Sequence, residues 1–76
     1  MNHVRRKWIE EVYQKLQDLQ EEIDAICAEE QDAFDNLPES LQYSERADAM
    51  QDAIDSLEYA SSNLGEALDC LTEAQG

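Results

Sequence analysis

Positive charge is scarce in this chain and almost vanishes beyond its first turns. Arg5, Arg6, Lys7, Lys15 and Arg46 stand against 19 Asp and Glu residues, for a formal net charge of −14 over 76 residues. Residues 16–76 carry 17 carboxylates and one arginine, a net of −16. Such a field repels nucleic acid and anionic membrane surfaces and attracts basic protein surfaces, including those that hold DNA or RNA. The only histidine is His3, near a terminus expected to fray, so no base–nucleophile pair can be assembled. No glycine-rich phosphate loop, Cys-x-x-Cys or Glu-x-x-His occurs, which leaves phosphate, zinc and di-iron sites without support. Two cysteines, Cys27 and Cys70, are too few for a disulfide framework. No apolar run approaches the ~20 residues that span a bilayer. The basic start Met1–Lys7 is not followed by the apolar stretch of a signal peptide. A non-enzymatic protein with no cofactor, no metal and a cytoplasmic location is the expectation.

Proline and glycine are nearly absent too, with one and two copies. Pro38 therefore marks the one clear break, because it cannot continue a helix from the preceding turn and pushes Leu37 towards an extended conformation. Asn36 is a candidate cap beside it, and residues 38–42 suit one short helical turn. Ser44 reads as the N-cap of the next helix, with Glu45 in its first turn.

What is present is a regular apolar pattern. Before the break Ile9, Val12, Leu16, Leu19, Ile23 and Ile26 follow steps of three and four, continuing through Glu30 to Ala33 and Leu37. After it Ala47, Met50, Ile54, Leu57, Ser61, Leu64, Leu68 and Leu71 repeat the same steps. Both halves thus carry a heptad seam, and most other positions favour helix or solubility. We predict an all-α, coiled-coil-like antiparallel two-helix hairpin, a single domain over 1–76. The helices run over about 3–35 and 45–73, with a connector at 36–44, each about 45 Å long at ~1.5 Å per residue. Matching the seams puts Phe34 opposite Met50, Glu30 opposite Ile54, Ile23 opposite Ser61, Leu16 opposite Leu68 and Val12 opposite Leu71. Cys27 then lies near Leu57 and Cys70 near Gln14, roughly 20 Å apart along the rod, too far for a disulfide within one chain. Gly65 costs about 1 kcal/mol relative to alanine inside a helix. The unbroken phase through it favours a continuous helix with a bend or a close backbone approach.

Several apolar residues fall beside the seam: Trp8, Tyr13, Cys27 and Phe34 in the first half, Ala49, Ala53, Ala60, Ala67 and Ala74 in the second. Two helices bury only one stripe each, so a homodimeric four-helix bundle is expected to cover the rest. A monomeric hairpin with exposed alanines is the plain alternative, and the acidic faces oppose association. Trp8 is expected to pack at the end of the rod, with an exposed interface anchor as the other reading.

Carboxylates recur at helical spacing, as in Glu21 with Asp24, Glu29 with Asp32 and Asp48 with Asp52 and Asp55. A hard cation needs six or more oxygens arranged in space, so a solvated acidic face is the reading. Glu30 on the seam is read as structural, either snorkelling outward or setting register or oligomer state as polar seam residues do. Candidate partner contacts are Asp48, Asp52, Asp55, Glu58, Glu66 and Asp69 on the second helix, with Glu21, Glu22, Glu29 and Asp32 on the first. Their ~6 Å spacing is comparable to that of phosphates along a strand. The same residues serve solubility equally well.

The stretch Glu30-Gln31-Asp32-Ala33-Phe34-Asp35-Asn36-Leu37-Pro38-Glu39-Ser40-Leu41-Gln42, followed by Ser44-Glu45-Arg46, resembles small acidic helical proteins of phages and prophages of Gram-positive bacteria. The acidic second helix fits the same resemblance, whose distinctive part is the connector. That group has no settled biochemical activity, so no functional residue is carried over. The resemblance implies a viral origin and, by analogy, an inhibitor that blocks a host protein inside the bacterial cytoplasm, as anti-CRISPR and other anti-defence factors do. A helical structural or adaptor module working through its apolar seam is the competing expectation, with binding lost on Leu57→Asp or Leu64→Asp.

Overall fold

A computed structural model describes all residues, Met1–Gly76, as two long helices packed against each other. Helix α1 spans His3–Asp35 and α2 spans Glu45–Ala74, with one 3-10 turn, Glu39–Leu41, between them. The architecture is all-α and hairpin-like, with no strand. The rod measures 59 × 14 × 12 Å along its principal axes. Its radius of gyration of 17.4 Å far exceeds the ~11 Å of a compact domain of this length.

The helix ends follow the local chemistry. The Asn2 side chain accepts a hydrogen bond from the Arg5 N–H at 2.9 Å and so caps α1. Ser44 does the same for α2, accepting from the Ala47 N–H at 3.3 Å while its own hydroxyl donates to the Leu41 carbonyl at 2.6 Å. Glu45 and Asp48 lie in the first turn of α2, where the helix dipole favours negative charge. Asn36 departs from its expected place. It closes α1, its side-chain amide and backbone N–H both donating to the Asp32 carbonyl, and it does not cap the turn after Pro38. The last carbonyls of a helix lack partners, and Asn36 reaches one of them directly. Pro38, at φ −56° and ψ 145°, starts the short turn by accepting from the Leu41 N–H at 2.8 Å.

The seam of α2 is the one its periodicity predicts. Ala47, Ile54 and Leu68 are buried, and Met50, Leu57, Ser61, Leu64 and Leu71 are half-buried between them. These three are the only fully buried residues of the protein, and α1 contributes none.

The seam of α1 differs from expectation. Ile9, Val12, Leu16, Ile23, Glu30 and Leu37 are half-buried, but Leu19 is 48% and Ile26 53% exposed. In their place Gln20 and Cys27 turn inward, with Tyr13 and Phe34 in the same phase. Two stripes share Ile9, Leu16, Ile23, Glu30 and Leu37. One is completed by Val12, Leu19, Ile26 and Ala33, the other by Tyr13, Gln20, Cys27 and Phe34. Both satisfy the 3–4 spacing, so a period alone cannot rank them.

Contacts across the hairpin show why the second stripe prevails. The Gln20 amide donates to the Ser61 carbonyl at 3.0 Å, and the Cys27 thiol donates to the Ile54 carbonyl at 3.9 Å. A Cβ added at Gly65 would lie 3.3 Å from the Gln20 amide nitrogen. The glycine thus makes room for the glutamine, a close approach within a continuous α2. A helical carbonyl points along the chain towards the residue four on. The Ile54 oxygen therefore sits towards Leu57, the level expected for Cys27.

Candidate functional site

A hairpin of two helices has two long edges, formed by the residues on either side of the seam. Here they differ in chemistry. One edge is polar. The Ser61 hydroxyl donates to the Asp24 carboxylate at 2.6 Å, beside the Gln20–Ser61 bond. Asp24, Cys27, Ala28, Gln31, Glu58 and Ser61 line an open groove there. Further down the same edge, Glu10, Tyr13 and Gln14 meet Thr72 and Gln75. Burial pushes the Cys27 thiol above its ordinary range, and the Glu58 and Asp24 carboxylates push it the same way. The shift favours the neutral thiol over the thiolate.

The opposite edge is apolar. On α1 the stripe Val12, Leu19, Ile26 and Ala33 runs along it at steps of seven, half-buried at Val12 and exposed at the other three. On α2 it is matched by Ala53, Ala60, Ala67 and Ala74, also at steps of seven. At the open end of the rod Trp8 and Val12 join Met1, Arg5, Ile9 and Leu71 around an apolar groove. Trp8 is 65% exposed, so it does not pack as expected and projects outward. The row next outward on α2, at the same spacing, is Ala49, Ser56, Asn63 and Cys70. Neither α2 row holds a carboxylate. Glu22 and Glu29 of α1 border this side, and Glu11 lies beside Trp8 at its open end.

The acidic candidates coat the remaining surface. Asp48, Asp52, Asp55, Glu58, Glu66 and Asp69 of α2 are exposed, as are Glu21, Glu22, Glu29 and Asp32 of α1. The outward faces of the two helices point away from each other, so the two sets do not converge on one patch. Asp48, Asp52 and Asp55 follow one another along the first turns of α2. Asp55 accepts a hydrogen bond from Gln51 at 2.9 Å, and Gln14–Asp18 and Gln31–Asp35 repeat that arrangement four residues apart. No three His, Cys, Asp or Glu side chains come together as a metal site. No helix is long and apolar enough to cross a membrane. Both cysteines are free, Cys27 half-buried and Cys70 exposed.

Sequence reasoning missed the polar stitch of Gln20, Asp24 and Ser61. Its signal was the coincidence of a serine on the α2 seam with a glycine four residues on, which leaves space that a hydrogen-bonding side chain fills. No family model matches the chain, and neither a curated protein nor a solved structure matches it.

Proposed function

We propose that the chain is a non-enzymatic acidic binding protein that occupies a basic surface on a host protein, acting as an inhibitor. The observation that carries this reading is the coat of exposed carboxylates along a rod 59 Å long. Asp48, Asp52, Asp55, Glu66 and Asp69 on α2 supply a row of negative charge that competes for a channel built to hold phosphates. The protein contacts neither nucleic acid nor membrane. Its resemblance to small acidic phage proteins supports a viral source, an anti-defence or nucleic-acid-handling target and action in the bacterial cytoplasm. The test is capture of the target from host lysate at low and high salt. Affinity falls by about tenfold or more as salt rises from 0.05 to 0.5 M, because exposed charges are screened beyond a few ångströms. Replacing Asp48, Asp52 and Asp55 together by lysine abolishes capture. Capture that ignores both changes overturns the electrostatic mechanism.

The apolar edge favours a second reading, a helical adaptor that binds a partner helix. Binding would then survive high salt and be lost on Leu19→Glu, with the triple aspartate reversal leaving it unchanged.

A further inference from the structure

We propose that the apolar edge is the seat of a second copy of this chain, packed about a twofold axis along the rod so that both connectors lie at the same end. The proposal is independent of the acidic reading, since it uses the one side that the carboxylates avoid.

Three observations select a second copy as the occupant. The first is the thin core: three buried residues in 76 leave a chain of this size short of buried apolar surface unless it associates. The second is charge. A protein of net charge −14 resists self-association through its acidic faces. On this edge Leu19, Ile26 and the alanine row meet without carboxylates between them, and Glu22 and Glu29 remain at the rim. The third is area. At ~1.5 Å per residue the small-residue rows of α2 run ~40 Å, and two helices ~10 Å apart present a face ~18 Å wide. The product, roughly 700 Å² per copy, approaches the ~800 Å² per partner of stable complexes.

Side-chain size selects the arrangement. The α1 row is large and the α2 row is small, so α1 of one copy belongs over α2 of the other. A twofold axis along the rod does this and keeps every residue at its own height. In an antiparallel pair the Gln20–Gly65 approach places Leu19 near the level of Gly65 and Glu66. Across the interface Leu19 therefore enters the gap between the partner's Ala60 and Ala67. Ile26 enters the gap between the partner's Ala53 and Ala60, and Val12 that between the partner's Ala67 and Ala74. Both rows repeat every seven residues, so one height match seats all three knobs. Each helix then has antiparallel neighbours on two sides, as in a four-helix bundle. An axis perpendicular to the rod would set α1 against α1 and alanine against alanine, with the large side chains colliding and the small ones leaving voids.

The measurement is the solution mass by sedimentation equilibrium at about 100 μM chain in 0.15 M salt. The expected mass is twice that of the 8.7 kDa chain, and a monomer overturns the proposal. Leu19→Glu combined with Ile26→Glu raises the dimer dissociation constant at least a hundredfold, whereas Ala28→Glu on the polar edge leaves it unchanged. Equal effects from the two edges overturn the assignment. Cross-linking tests the arrangement without destabilising the fold. In a Cys27→Ser background, Val12→Cys forms a covalent dimer with the partner's Cys70 under mild oxidation. Gln14→Cys, at nearly the same height but facing away, does not. Equal cross-linking at positions 12 and 14 overturns the twofold axis proposed.

Discussion

The two edges of the hairpin solve one problem in opposite ways. On the polar edge Gln20, Asp24 and Ser61 satisfy each other, and no buried side-chain polar atom is left without a partner. On the other edge Leu19, Ile26 and Trp8 stay exposed beside a row of alanines. The polar edge is complete within one chain. The apolar edge holds more hydrophobic surface than one chain can cover. The side of α1 that carries the cross-hairpin hydrogen bonds faces α2, and apolar area is left exposed on the other side.

The largest effect comes from the seam that both edges share. Ile54, 1% exposed, is the centre of the core, and Ile54→Ala should cost about 3 kcal/mol in denaturant unfolding. Next comes the apolar edge. Leu19→Ala should cost about 1–2 kcal/mol where chains associate and well under 1 kcal/mol at high dilution, because association adds stability by mass action. Unfolding curves at two protein concentrations separate the cases, and Ser61→Ala on the polar edge should show no such dependence.

Gly65→Ala probes the polar edge from beneath. The added methyl meets only the flexible end of Gln20, so the helix gain of about 1 kcal/mol should outweigh a small shift of the amide. In the Gln20→Ala background the full gain should appear, and thermal melting of the four variants of that cycle reads the coupling. Ser61→Ala alone removes a hydrogen bond to a carboxylate at the surface and should cost about 0.5–1 kcal/mol.

The smallest effect is that of pH on Cys27. Its folded-state pKa is raised, first by burial and then by Glu58 and Asp24. The neutral thiol is therefore the form that the fold prefers. That contribution is complete below the ordinary thiol pKa and is lost as pH rises through the higher folded value. Alkylation of Cys27 near pH 8 should be slower in the folded chain than in denaturant, and Cys27→Ala should remove the alkaline loss of stability. Equal alkylation rates would contradict the polar edge as drawn.

Much of this was legible in the residues. Pro38 ended the first helix, Ser44 began the second, and the Ala47-to-Leu71 seam faced inward as its period required. That seam was unambiguous because acidic and small residues surround it. The first helix offered two stripes one residue apart, Val12-Leu19-Ile26 and Tyr13-Gln20-Cys27. Hydropathy preferred the former, while shape and hydrogen bonding on the facing helix preferred the latter. The carboxylates were countable in advance, but whether they gathered into one patch depended on the same rotation.

Sequence by itself determined two helices, their ends, an antiparallel pairing near one register and a strongly negative surface, because spacing, capping and charge are local properties of the chain. Only the tertiary structure decided which side of α1 met α2. That choice depends on the space above Gly65 and on the second lone pairs of the Ile54 and Ser61 carbonyls, which are in position only once the second helix has formed. It also turned Leu19 and Ile26 outward and made one edge of the rod apolar.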